Sequence, residues 1–179
     1  MSLVSMLFLL LAGTVLQSMI PTLPWLSYAT TPVLASLVVY YALYRGGVMI
    51  FVFAALAGLF QDSMSLIPLG YSTFCFVAGA LVIERYRDLM ILHAGLTHAM
   101  LAAAFNALVT SALMILMLND GSIAWQPFWL SWKIPGAILL GLIAGPLVIA
   151  AAHSLEERLG LVHGDYDRYG AQRSFYGME

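Results

Sequence analysis

Asp62 is the only acidic residue among positions 1–83, and it lies inside a long apolar stretch from Gly46 to Ile83. A carboxylate at or near membrane depth is costly unless it reaches an interface, a cavity or a partner, so it marks a candidate functional site. The surrounding Gly58-Leu-Phe-Gln-Asp62-Ser-Met-Ser-Leu-Ile-Pro68-Leu-Gly70 carries residues that turn a chain. Two roles are open. Asp62 or Ser63 caps a short helix across Ser63-Met-Ser-Leu, and Pro68-Leu-Gly70 then turns the chain into the next helix. Alternatively, Asp62 closes a polar contact within a helix bundle or with an extracytoplasmic segment of a partner.

The other polar groups fit hydrogen bonding better than catalysis. His93 and His98 stand about 140° apart on a helix, whereas two ligands of one metal favour an i, i+4 pair. Asn106 and Thr110 share a helical face, suited to an interhelical hydrogen bond. Cys75 is the only cysteine, which excludes an internal disulfide and leaves no Cys-based metal spacing. No His-Glu-x-x-His, Gly-x-Ser-x-Gly or phosphate-cradling glycine loop occurs, and Asp62 has no second carboxylate near it in sequence. The chain is therefore expected to be no enzyme and to hold no cofactor or metal. Trp125, Phe128, Trp129 and Trp132 fall on one helical face, as an interfacial aromatic belt or as a docking patch for a partner.

These groups must be positioned by membrane helices. The chain is 62% hydrophobic and 9% charged, where soluble proteins have roughly a quarter of their residues charged. That composition predicts an all-α, polytopic membrane protein with one transmembrane domain over residues 1–160 and a short cytoplasmic tail over 161–179. The tail mixes charge with aromatics, as a flexible end or as a motif read by a cytoplasmic protein. Membrane lipid is the expected surrounding, and no nucleic-acid partner is expected.

Six spans are predicted: Ser2 to Ile20, Pro32 to Tyr44, Val48 to Phe60, Tyr71 to Ile83, Leu89 to Leu118 and Trp132 to Ala152. The first apolar run lacks a positive leader and a small-x-small cleavage pattern, so it reads as a retained span. The third and fourth are short of the ~30 Å hydrocarbon core. Pro146 is expected to kink the sixth. With six spans, Arg45, Arg85, Arg87, Arg158, Arg168 and Arg173 all share one side, and Lys133 stands alone on the other. The positive-inside rule then puts both termini in the cytoplasm. Reading Gly46 to Ile83 as one span would blur this asymmetry, so the segment around Asp62 is a real turn at the outer side. Small residues at Ala54/Gly58, Gly95/Ala99/Ala103 and Ala137/Gly141/Gly145 mark faces for close helix approach, either internal or with another protein.

Helix two ending in Tyr-Arg45-Gly-Gly, then Ala-Gly58-Leu-Phe-Gln-Asp62 and Pro68-Leu-Gly70, resembles the rod shape-determining protein MreD family. The resemblance covers roughly residues 30–90 in motifs and the whole chain in hydropathy layout. It implies a non-catalytic component of the bacterial cell-elongation complex in the inner membrane, supporting peptidoglycan synthesis and rod shape. The implied partners are an MreC-like protein and, indirectly, MreB, RodA and a class B penicillin-binding transpeptidase. The candidate partner-binding residues are Gly58, Asp62, Pro68 and Gly70, with Trp125 and Trp129 from the aromatic segment. The alternative is a vitamin-binding membrane subunit, similar to the substrate-binding components of energy-coupling-factor transporters, which are six-helix bundles of this size. That reading needs polar groups converging beneath the outer loops.

Overall fold

Gly47 (φ 73°) and Gly70 (φ 103°) adopt left-handed backbone that side-chain-bearing residues avoid, and each stands immediately before a helix. Pro127 opens another helix, at the position where a missing N–H is tolerated. A computed structural model of the chain describes residues 3–20, 31–44, 47–65, 67–86, 95–121 and 127–158. The side chains of 3–5, 95–96 and 127–131 are outside that description, as is the tail after residue 158.

The described residues are all-helical: α1 (Leu3–Met19), α2 (Val33–Tyr44), α3 (Val48–Met64), α4 (Tyr71–Tyr86), α5 (Gly95–Asn119) and α6 (Pro127–Arg158). Two contain stretches long and apolar enough to cross a membrane, Thr97–Asn119 and Trp132–Arg158. Several boundaries differ from the hydropathy reading. α3 runs four residues beyond Phe60, so Asp62 lies in its last turn and not in a connection. α4 continues past Ile83 to Tyr86, and α6 carries the chain past Ala152 to Arg158 as one helix through both Pro135 and Pro146. No short helix follows Asp62: Ser65 ends α3 with extended backbone.

α2 is the axis of the bundle. Every side chain from Val33 to Leu43 is buried, and the helix packs against all five others. A helix apolar on all sides has no solvent face to offer, and here none is needed. Its serine follows the same logic: Ser36 Oγ donates to the Pro32 carbonyl at 2.7 Å, which satisfies the hydroxyl in dry surroundings. The outer helices expose large apolar side chains, among them Phe8 and Leu11 on α1, Val48 on α3, Phe74 on α4, Ile115 on α5 and Leu147 on α6.

Small residues set the helix spacings from within. A side chain at Gly58 would collide with the backbone of Thr73, so α3 and α4 touch main chain to main chain. Gly141 lies where a Cβ would come within 2.8 Å of Ala103 Cα, and Gly145 meets Ala102. Asn106 Nδ2 donates to the Ala137 carbonyl at 2.6 Å across the same α5–α6 seam. These small-residue faces are therefore internal seams between α3 and α4 and between α5 and α6.

Candidate functional site

The carboxylate of Asp62 is 2% exposed and points along the chain to the start of the next helix. Oδ2 accepts from the Gly70 backbone N–H at 2.7 Å and Oδ1 from that of Ser72 at 3.1 Å. The first N–H groups of any helix lack intrahelical acceptors, and a negative charge there is favoured by the helix dipole. Asp62 is thus a cap for α4 supplied by the last turn of α3. The expected cap on a helix at Ser63–Leu66 is corrected accordingly, and Ser63 Oγ instead donates back to the Phe60 carbonyl at 2.9 Å.

Around this bond the turn has a hidden side and a displayed side. Gly58 is buried against α4 and has no free face. Met64, Pro68 and Leu69 are exposed, Leu69 to 72%, and Gly70 supplies the positive-φ corner. Of the candidate residues, Gly58, Asp62, Pro68 and Gly70 therefore come together in one closed hairpin end. Trp125 lies outside the described residues, and of Trp129 only the helical backbone is described. Trp132, on the same predicted face, is 55% exposed.

Behind the hairpin end lies a chamber of about 210 Å³, bounded by the ends of α1 and α3, the start of α2, the middle of α5 and the start of α6. Gln17 and Gln61 meet across its rim: Gln17 Nε2 donates to Gln61 Oε1 at 2.6 Å, and Gln17 Oε1 accepts from the Leu34 N–H at 3.0 Å. Asn106, Thr110 and Lys133 reach the same space. Asn106 thus joins an interhelical bond to a cavity wall, while Thr110, predicted to share its face, does line the same chamber.

A second polar cluster stands at the opposite end of the bundle, and of its members the sequence reading named only His98, as a hydrogen-bonding group. Glu156 of α6 is 1% exposed, and its two carboxylate oxygens accept from Tyr40 Oη at 2.9 Å and Tyr41 Oη at 3.1 Å. Tyr44 Oη lies 3.2 Å from His98 Nε2, and the Tyr44 ring stacks on His153 at 5.5 Å between centroids. Gly47 N–H donates to Glu84 at 2.9 Å beside this cluster, joining the start of α3 to the end of α4. The available signal was the Tyr40-Tyr41-x-x-Tyr44 run, because phenols buried in an apolar helix require acceptors. Among the described residues no group of three or more His, Cys, Asp and Glu side chains could hold a metal. Compared with family models, curated proteins and solved structures, the chain has no significant match.

Proposed function

We propose that this chain is a multi-pass adaptor of the bacterial inner membrane, similar to MreD-like proteins, with six spans and both termini cytoplasmic. It binds an MreC-like protein and through it joins MreB, RodA and a class B penicillin-binding transpeptidase in peptidoglycan synthesis and rod-shape maintenance. The observation that carries this reading is the closed α3–α4 end. The residues of the resemblance, Gly58, Asp62, Pro68 and Gly70, are those that hold this end together, and they leave Met64, Pro68 and Leu69 displayed. An exposed apolar corner of this kind offers a surface for a partner.

The membrane placement draws support from two features. A water-facing monomer rarely exposes apolar patches beyond a few hundred Å², yet apolar side chains of this chain are exposed on every helix except α2. The ends of α2, α4 and α6, which carry or adjoin Arg45, Arg85, Arg87 and Arg158 in sequence, gather at one end of the bundle. Lys133 is at the other. The brevity of α2, about 18 Å at 1.5 Å per residue, fits a span sheathed by protein.

The test is recovery of partners from bacterial membranes with the tagged chain as bait. Wild type should recover an MreC-like protein. Leu69→Glu should lose it while the melting temperature stays unchanged, and Asp62→Ala should lower both. Recovery of no wall-synthesis protein by wild type would end the adaptor reading. The second reading, a vitamin-binding subunit of an energy-coupling-factor type transporter, draws on the polar groups that converge on the chamber, whose volume of about 210 Å³ is small for a vitamin. A vitamin that raises the melting temperature, with no MreC-like protein recovered, would select it.

A further inference from the structure

The chamber holds chemistry that the hairpin end does not use. Lys133 is the only lysine in the chain, its side chain is half-buried in the chamber wall, and among the described residues no carboxylate is paired with it. Asp62 does not neutralise it, because that carboxylate is turned to the N–H groups of Gly70 and Ser72. Thr110 and Asn106 line the same chamber from α5, interleaved on one helical face with apolar Val109 and Met114. An ammonium beside hydroxyl and amide groups in a low-dielectric space favours an anion.

Size and surroundings narrow the class. About 210 Å³ is smaller than the roughly 300–1,000 Å³ of sites that enclose drug-sized ligands, and it suits a head group better than a vitamin. Gln17, Gln61 and Ser65 also line a second, more open space of about 530 Å³ on the flank between α1 and α3. Thr14 and Ser63 line it together with apolar Ile20 and Phe60, and the neighbouring Val15 and Met64 are exposed. The Gln17–Gln61 hydrogen bond stands in the shared wall. A charged inner chamber beside an amphipathic groove on an apolar flank has the outline of an amphiphile.

We propose that the chamber binds the anionic head group of a membrane amphiphile, admitted from the α1–α3 groove past the Gln17–Gln61 pair, with Lys133 as the charge partner. The recognised chemistry is a phosphate-type anion, and the adjoining groove assigns it to lipid rather than to free phosphate. Basic pockets between membrane helices bind lipid head groups by the same physics. The proposal rests on the membrane placement and is independent of the adaptor role.

Full-length protein in detergent is titrated with phosphatidylglycerol, phosphatidylcholine or inorganic phosphate and read by native mass spectrometry and melting temperature. Wild type should retain one phosphatidylglycerol under conditions that strip phosphatidylcholine. Lys133→Gln should weaken retention about fivefold, the equivalent of one basic residue near an anionic head, and Lys133→Arg should preserve it. Thr110→Trp, which fills the chamber and keeps Lys133, should also lose the lipid. Equal retention by wild type and Lys133→Gln would overturn the site. Lys133-dependent binding of inorganic phosphate without lipid retention would overturn the lipid assignment. Lipid retention without recovery of an MreC-like protein would sink only the adaptor reading, and the reverse result only this one.

Discussion

The two ends of the bundle are closed by different kinds of bond. At the end where α2, α4 and α6 finish, side chains reach across the fold. Tyr40 and Tyr41 bond Glu156 over separations of 116 and 115 residues, and Tyr44 meets His98 over 54. At the other end Asp62 reaches only 8 and 10 residues ahead, to backbone, and the space behind it is hollow. The first end ties distant helices to one another, and the phenols of Tyr40, Tyr41 and Tyr44 are engaged in holding the fold. The other end has its long-range ties at the chamber rim and wall, Gln17–Gln61 over 44 residues and Asn106–Ala137 over 31, and leaves Lys133 and Thr110 lining the space between. Stability is concentrated at one end and the capacity to bind at the other.

The largest test of that contrast is Gly58→Leu. No flexible neighbour can yield to the new side chain, because the obstacle is the Thr73 backbone, and overpacking of this kind costs about 3 kcal/mol or more. Loss of a monodisperse species in size-exclusion chromatography is the expected result. Glu156→Ala comes next. It strips the acceptor from two buried tyrosine hydroxyls and should lower unfolding free energy by about 3 kcal/mol in denaturant titration. Asp62→Ala should cost less, about 2 kcal/mol, because only one of the two freed N–H groups, that of Ser72, is fully buried, and that of Gly70 is part-buried. If Asp62→Ala proved the more damaging of the two, the division of labour between the ends would be wrong.

Smaller effects sharpen the contrast. Tyr40→Phe should cost about 0.6–1 kcal/mol, the usual worth of one interhelical hydrogen bond in a membrane protein. In a double-mutant cycle it should be nearly silent once Glu156 is alanine. Lys133→Gln should change stability by less than about 0.5 kcal/mol, since among the described residues no partner loses a bond. A drop above 1 kcal/mol in the same unfolding assay would make Lys133 part of the scaffold.

Much of the hairpin end was legible because its chemistry is short-range. Pro68, Gly70 and the isolated Asp62 announced a turn, and a turn separates α3 from α4. The capped helix was misassigned for a specific reason. An N-cap side chain ordinarily serves N–H groups two or three residues ahead, and Asp62 serves groups 8 and 10 ahead, which requires the chain to have folded back first. Glu156 was illegible. In sequence it belongs to a charged Glu-Glu-Arg run at a helix end, and only the packing of α6 on α2 turns it inward to the tyrosines.

By itself, the sequence determined the apolar helical segments and the turn between Asp62 and Gly70, and it supplied the arginine pattern from which the topology is proposed. Each of these follows from hydropathy, turn chemistry or charge counted along the chain. Only the tertiary structure decided that α2 is the fully enclosed axis, that Gly58 and Gly141 face inward, and that Tyr40 and Tyr41 meet Glu156 at one end while a chamber lies at the other. The physical reason is that helices this uniformly apolar carry little record of which side is buried. The choice is made by the fit of small residues against backbone and by hydrogen bonds between partners that sequence distance conceals.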